Sequence, residues 1–190
     1  MIMVGISFAF IDLGSQNTLV TNTLGRFEKQ RLQSLNIISA LFVSLFLIFF
    51  AGKLAQFIQA SNEFLYCCML MPIFLSLHSI SIVPYARLLK AQKLISLAWV
   101  DFLGVLSIFI SVPLFLYIGF SLFTFVIALS IQAVVRIFLL KLNLNKLVRL
   151  RFDLKNLSIF KKLIIQFLSN LIVYISFRID QIVVVKFISI

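Results

Sequence analysis

The chain alternates between long apolar stretches and short basic ones. Its basic residues concentrate in the segments 26–31, 87–93 and 136–162. A helix crosses the hydrocarbon core of a bilayer in about 20 residues, and each interval between two basic segments is long enough for two crossings. Charged residues are rare within these intervals. The pattern therefore predicts apolar helices that run out and back, so that the basic segments share one face of the membrane.

This pattern predicts an all-α fold, a polytopic membrane helix bundle with about six transmembrane helices. Pro72, Pro84 and Pro113 fall inside or at the edges of the expected helices, where a missing amide donor kinks a helix. Residues 149–155 alternate between charged and apolar side chains, as in a segment that lies along the membrane interface. The predicted helices cover residues 1–23, 32–59, 63–85, 91–116, 120–142 and 157–188.

Composition and charge agree with a membrane protein. Hydrophobic residues make up 62% of the chain and charged residues 12%, which is far more apolar than an average soluble domain. A net charge of +11 in a soluble protein would indicate nucleic acid, but here the cations flank apolar spans and anionic lipid head groups are the nearer partner. We expect membrane lipids as partners and no nucleic acid. By the positive-inside rule, the cytoplasmic basic loops contain Arg26, Arg31, Arg87, Lys90, Arg149 and Arg151.

The last predicted helix has the most informative polar pattern. With Gln166 at zero and about 100° per residue, Asn170 falls at about 40°, Gln181 at about 60° and Tyr174 at about 80°. Arg178 flanks this stripe at about 120°, and Asp180 lies on the other flank at about 320°. Unmet polar groups are costly in hydrocarbon, so the stripe must face other helices or an aqueous cavity. Both interpretations, contacts between helices and a cavity for a polar substrate, stay open.

Three ionisable residues inside other predicted helices each have a structural and a functional interpretation. Asp12 is a candidate cation or proton site, or it pairs with a buried Arg or caps a kink at Gly14. His78 is either a hydrogen-bonded core group or a proton relay. Asp101 lies near the cytoplasmic end of its helix, where a carboxylate needs no special role. Intramembrane ionisable groups are expensive and therefore worth testing for function.

The chain lacks the residue patterns of an enzyme. It has six acidic residues and one His, without a carboxylate pair, a nucleophile beside a base, or a phosphate-binding glycine loop. Cys67 and Cys68 are adjacent in an apolar stretch and have no metal-ligand spacing. We expect no enzymatic activity, no metal and no cofactor.

Three segments resemble, in order, parts of a known transporter family. Residues 8–20 read FAFIDLGSQNTLV, residues 81–93 read SIVPYARLLKAQK, and residues 151–190 contain RIDQ at 178–181. They resemble the second span, the basic turn after the fourth span, and the entry to the seventh span of the polysaccharide and O-antigen flippase family. This family belongs to the multidrug, oligosaccharidyl-lipid and polysaccharide exporter superfamily.

The resemblance implies a transport function in the bacterial inner membrane. Its substrate would be an undecaprenyl-pyrophosphate-linked oligosaccharide, moved to the outer leaflet by alternating access of two lobes. The polar stripe would line the substrate cavity, with Arg178 attracting the phosphates. Asp12 and Asp180 would be the candidates for coupling to an ion gradient. The expected partners are then the lipid-linked oligosaccharide, membrane lipids and polysaccharide assembly proteins.

The resemblance also implies a division of the chain. Residues 1–142 would be the five-helix part of an N-terminal lobe, residues 143–156 a basic interfacial linker, and residues 157–190 the first helix of a truncated second lobe. The chain is then expected to be a fragment that does not transport by itself, because alternating access needs both lobes. Two alternatives stay open: a drug or cation exporter of the same superfamily, and a membrane-embedded scaffold or assembly subunit.

Overall fold

A computed structural model describes residues 11–12, 15–57, 62–120 and 123–144, together with residues 165, 168, 169, 172 and 176. Within the four ranges, all regular secondary structure is α-helical, as the sequence predicts. The helices are α1 (Ser15–Thr21), α2 (Arg26–Phe57), α3 (Asn62–Lys90), α4 (Leu94–Tyr117) and α5 (Phe123–Leu144).

The helices α2 to α5 are each long and apolar enough to cross a membrane. Their outer surfaces carry large apolar side chains, such as Phe42 at 70%, Phe49 at 78% and Phe109 at 72% exposure. Such surfaces are costly in water and match hydrocarbon. The chain is therefore a multi-pass membrane protein. About half of the predicted helix 1–23 and most of the predicted helix 157–188 lie outside the described residues, so a count of six spans stays a prediction, as does the division at 143–156.

The second helix begins earlier than predicted. It starts at Arg26 rather than at residue 32, because Glu28 caps it: the Glu28 carboxylate accepts a hydrogen bond of 2.7 Å from the Gly25 amide. A glutamate in the first turn that reaches back to the capping residue satisfies an amide that the helix leaves unpaired. Arg26 and Arg31 therefore lie in the first two turns of α2, and the prediction that they belong to a loop is wrong.

The third helix also extends past its predicted end, from residue 85 to Lys90. A short turn at residues 91–93 joins it to α4, with Gln92 at a positive φ of 54°. The Lys93 amide closes this turn on the Leu88 carbonyl at 3.1 Å. Arg87 and Lys90 thus occupy the last turn of α3, where cations interact favourably with the helix dipole. They too are helical residues and not loop residues.

The turn between α4 and α5 falls where the sequence predicts a break between the helices 91–116 and 120–142. Gly119 has a φ of 96°, its amide donates to the Leu116 carbonyl at 3.0 Å, and the Phe120 amide donates to the Phe115 carbonyl at 3.0 Å. This hydrogen-bond pair after a left-handed glycine is a Schellman motif. The Phe115 and Phe120 rings meet edge to face, which adds the apolar contact that accompanies the motif.

The centre of the bundle is α3, because it contributes to each of the buried clusters that join the described helices. Met71, Phe74 and Leu75 meet side chains of α2 and α5. Nearer the end at Lys90, Val83 and Ala86 meet α1 and α2, and Leu88 meets α4 and α5. All three prolines lie inside continuous helices, Pro72 and Pro84 in α3 and Pro113 in α4.

Candidate functional site

The predicted polar stripe lies outside the described residues, as do Arg149 and Arg151. The residues that predict the stripe and its flanks are Gln166, Asn170, Tyr174, Arg178, Asp180 and Gln181. The described positions of the same segment, Ile165, Leu168, Ser169, Ile172 and Ser176, are exposed. On the helical wheel used above they fall between about 200° and 300°, away from the centre of the predicted stripe. The stripe therefore stays a prediction.

Asp12 acts at the start of α1. One oxygen of its carboxylate accepts hydrogen bonds from the Ser15 hydroxyl at 2.9 Å and from the Gln16 amide at 3.0 Å. Amides in the first turn of a helix have no partner within the helix, so a carboxylate that accepts them stabilises the helix start. The kink at Gly14 that Asp12 was expected to cap lies outside the described residues, so capping and ion binding both stay predictions for Asp12.

The hydrogen bonds of Asp12 continue into a polar contact with α2. The Asn36 side-chain amide, which is fully buried, donates to the Ser15 hydroxyl oxygen at 2.8 Å. Asp12, Ser15 and Asn36 thus form a chain of hydrogen bonds between the N-terminal end of α1 and the buried face of α2. No donor among the described residues reaches the other side-chain atom of Asn36, Oδ1. Buried acceptors of this kind are uncommon and call for an explanation such as water or an ion.

A second buried amide on α2 ties this helix to α3. The Gln33 side-chain nitrogen donates to the Ser79 carbonyl at 3.0 Å, one turn before Pro84. Its oxygen, and the hydroxyl of the buried Ser44, have no hydrogen-bond partner among the described residues. Gln33, Asn36 and Ser44 share one side of α2, since their spacing places them within about 80° of one another. The buried side of α2 therefore carries polar groups over about a third of its length.

Lys90 connects the ends of α3 and α1. Its ammonium group donates to the Leu19 carbonyl at 3.0 Å and to the Asn22 carbonyl. The last carbonyls of a helix lack partners within the helix, so Lys90 caps α1 as a cation at its C-terminal end. Leu88, Leu97 and Leu140 pack together beside this contact and bring the ends of α3 and α5 and the start of α4 to the same side. The described basic residues other than Lys53 and Arg136 thus gather at one end of the bundle.

An ion pair joins α4 to α5. Arg136 Nη2 contacts Asp101 Oδ1, and the other carboxylate oxygen accepts a hydrogen bond of 2.8 Å from the Tyr85 hydroxyl on α3. The guanidinium also lies over the Tyr85 ring, 5.4 Å from its centroid. Gly104 allows the close approach, because a Cβ atom there would lie 3.4 Å from Arg136 Cγ. We call Tyr85, Asp101 and Arg136 the charged triad.

The charged triad corrects two expectations. Asp101 has a specific role, as the counter-ion of Arg136, and Arg136 does not belong to a cytoplasmic segment. Asp101 lies about 10 Å from the start of α4, and Arg136 about 12 Å from the end of α5, at 1.5 Å per residue. Because α4 and α5 are antiparallel, these similar distances place the two side chains at the same level of the bundle. The sequence alone gives both distances once the helices are predicted. His78 is half-buried and lies beside Phe74, with ring centroids 5.8 Å apart, and both interpretations of His78 stay predictions.

A shallow apolar groove of about 340 Å³ runs between α3 and α5. Its walls include Leu70, Ile73, Val126, Ser130 and Val134. Among the described residues, no three His, Cys, Asp or Glu side chains lie close enough together to hold a metal ion. Polar contacts between helices of the described bundle include those of Asn36, Gln33, Lys90 and the charged triad.

Comparison with known proteins gives one match. The family model described as polysaccharide biosynthesis protein matches residues 1–190, the whole chain. No curated protein and no solved structure matches the chain. The match agrees with the family resemblance of the segments 8–20, 81–93 and 151–190, and the membrane helices agree with it as well. The chain therefore belongs to the polysaccharide biosynthesis protein family, which places it in polysaccharide biosynthesis.

Proposed function

We propose that the chain takes part in moving a lipid-linked oligosaccharide across the bacterial cytoplasmic membrane, as a transporter and not as an enzyme. The observation that carries this proposal is the match over all 190 residues to a polysaccharide biosynthesis family, by a chain whose described part is a bundle of membrane helices. A sugar polymer that is assembled on a lipid at the inner face must cross the bilayer before export. A polytopic bundle without enzyme-like residue patterns suits that step.

The proposed substrate path uses the polar stripe of the last predicted helix. Arg178 would attract the phosphates of an undecaprenyl-pyrophosphate carrier, because guanidinium groups bind phosphate through two parallel hydrogen bonds. Gln166, Asn170, Tyr174 and Gln181 would offer neutral hydrogen bonds to sugars. The exposed residues Ile165, Leu168 and Ile172 support this orientation, since an apolar face toward lipid leaves the opposite side of the wheel for protein or a cavity.

Asp12 and Asp180 are the proposed ion-coupling carboxylates. For Asp12, the support is its hydrogen-bond chain through Ser15 to Asn36, whose buried side-chain oxygen has no donor among the described residues. Carboxylate and amide oxygens are the ligands that small hard cations prefer. An Asp12→Asn change should leave the chain in the membrane but uncouple transport from the ion gradient, which a sodium or proton flux assay measures on membrane vesicles from the host that carries the gene.

A membrane-embedded scaffold or assembly subunit is the second candidate. One observation favours it: the polar contacts of Gln33, Asn36 and the charged triad each join different helices. Polar side chains between membrane helices commonly stabilise packing alone. A scaffold would need no substrate cavity, and Arg178 would then contribute only to assembly.

The deciding experiment compares Arg178→Gln and Asp180→Asn with Arg26→Gln, an exposed cation at the start of α2, in the host that carries the gene. A flippase should lose surface polysaccharide at normal membrane levels of both stripe variants, with lipid-linked intermediates accumulating at the inner leaflet. The Arg26→Gln control should keep its polysaccharide. If the stripe variants instead disappear from the membrane or lose partner proteins, the scaffold role holds.

A further inference from the structure

Arg136 uses only part of its hydrogen-bonding capacity. A guanidinium group has five N–H donors in a planar fork that fits two oxygens of one anion. Asp101 gives Arg136 a single oxygen, because its other oxygen is bound to the Tyr85 hydroxyl. The Arg136 Nε atom is buried, and no acceptor among the described residues reaches it. The guanidinium is thus neutralised in charge but not satisfied in hydrogen bonds.

The same guanidinium is held in place and still accessible. The Tyr85 ring packs against it, and Gly104 lies beside it, where a Cβ atom would be 3.7 Å from Nε. The Arg136 side chain is 24% exposed and the Asp101 side chain 39%. The ion pair is therefore open at the surface of the described bundle, where an anion from outside can meet it, whereas Nε itself is buried.

We propose that Arg136 is a binding site for the phosphate oxyanion of a lipid, and that Asp101 is its exchangeable counter-ion. Arg136 lies about 12 Å inside its helix, where an anion needs a charged partner to compensate for lost hydration. A phosphate can engage the fork through two oxygens, which Asp101 does not do. When Arg136 turns to the phosphate, the Tyr85 hydroxyl still binds Asp101, so the carboxylate is not left without a donor.

This inference deepens the proposed function in one respect, the choice of a polyprenyl phosphate as the first ligand to test. The binding chemistry itself rests on the charged triad and does not require transport. A phospholipid head group offers the same phosphate chemistry as a polyprenyl carrier, so the experiment must separate the two sources.

The test measures lipid binding by the purified 190-residue chain in detergent, with native mass spectrometry as the readout. Undecaprenyl phosphate is titrated against undecaprenol, which has the same tail without the phosphate, and against phosphatidylglycerol. We expect the phosphate to bind more tightly than the alcohol. Arg136→Gln should weaken phosphate binding about tenfold, as expected for losing a charge-assisted contact. Arg136→Lys should lose part of the affinity, because an ammonium lacks the fork.

The discriminating variant is Asp101→Asn. If Asp101 competes with the ligand, its neutralisation should strengthen phosphate binding by about threefold or more, whereas undecaprenol binding stays unchanged. Lys141→Gln is the matched control, since Lys141 is an exposed cation in the last turn of the same helix, and it should change binding little. Tighter binding of phosphatidylglycerol than of undecaprenyl phosphate would identify a phospholipid as the ligand and would support the site.

Two results would overturn the proposal. If Asp101→Asn weakens binding as much as Arg136→Gln does, the pair serves only to hold helices together. Equal losses in Arg136→Gln and Lys141→Gln would show unspecific attraction by basic residues. Should Arg136→Gln fail to fold, Asp101→Asn and Arg136→Lys still decide the question. If cells that carry Arg136→Gln still export polysaccharide, transport does not need phosphate binding at Arg136, and the proposed function stands without this site.

Discussion

The interface of α1 and α2 with α3 and the interface of α4 with α5 both bury polar side chains, but they do so with different chemistry. The first uses neutral amides and hydroxyls together with one carboxylate, and it leaves the oxygens of Gln33, Asn36 and Ser44 without donors among the described residues. The second uses a full ion pair, supported by Tyr85 and by the space at Gly104. The first interface is thus adaptable to a bound water or ion, whereas the second depends on charge neutralisation.

Reversing the charge of Arg136 tests this contrast most strongly. Arg136→Glu sets a second carboxylate against Asp101, and breaking a partly buried pair of this kind should lower the free energy of unfolding by about 2 to 4 kcal/mol. The double change Asp101→Arg with Arg136→Glu should recover at least half of that loss. Fluorescence of Trp99, the only tryptophan in the chain, reports unfolding during a titration from mild detergent into dodecyl sulfate. A double variant no more stable than Arg136→Glu would show that packing, and not charge, holds α4 to α5.

The turn that closes the α4 to α5 hairpin provides the next test. Gly119 has a φ of 96°, which an alanine adopts only with strain, so Gly119→Ala should cost about 1 kcal/mol or more. Gly52→Ala is the matched control. Gly52 lies inside α2, where a Cβ atom would meet no other atom within 4 Å, and alanine should stabilise that helix by about 0.5 to 1 kcal/mol. The same Trp99 titration measures both, and equal effects of the two changes would contradict the strained turn.

The hairpin was also the part of the fold that the sequence predicted best. Two apolar runs flank Tyr117 to Ser121, and Gly119 supplies the residue that a helix end requires. The helix ends near Arg26 and Lys90 were predicted less well. Basic residues indicate the side of the membrane whether they lie in a loop or in a helix. Their positions therefore do not predict the residue at which a helix begins or ends. Only local capping, such as Glu28 with Gly25, sets that position.

The candidate sites were predictable to different degrees. Asp12 stands out in sequence because a carboxylate inside an apolar run is rare, and its capping role stays a prediction. Arg136 was assigned to a cytoplasmic segment because Lys141 and further cations follow it closely in the sequence. The distances of Asp101 from the start of α4 and of Arg136 from the end of α5 show instead that the two residues can pair. Gln33 and Asn36 are uncharged and were not predicted as site residues. In the sequence, only their position on the same side of a helix indicates that they could act together. The polar stripe from Gln166 to Gln181 stays a prediction.

Asn36 gives a smaller test, directed at the neutral interface. Asn36→Ala removes the donor to Ser15, and a hydrogen bond between membrane helices contributes about 0.6 kcal/mol on average. Ser44→Ala is the control on the same side of α2: its hydroxyl is buried without a partner among the described residues, so its removal should leave stability unchanged or slightly raised. Unfolding titrations compare the two. A larger loss for Ser44→Ala would mean that a bound water or ion, and not Asn36, organises this face.

Lys90 gives a similarly small expected effect and tests whether a basic residue at the membrane face also has a role in folding. Lys90→Met keeps the apolar part of the side chain but removes the ammonium that caps α1 at Leu19 and Asn22. Loss of a cation at a helix C-terminus costs about 0.3 to 1 kcal/mol, so amide hydrogens of α1 should exchange about two- to fivefold faster. Lys93→Met, which changes an exposed lysine in the adjacent turn, should leave that exchange unchanged.

Equally fast amide exchange in both variants would mean that α1 responds to the total positive charge of this end of the bundle. Faster exchange in Lys90→Met alone would show that the interface of α1 and α2 with α3 depends on one cation at its edge. The interface of α4 with α5 differs, because the charged triad holds its cation inside the bundle.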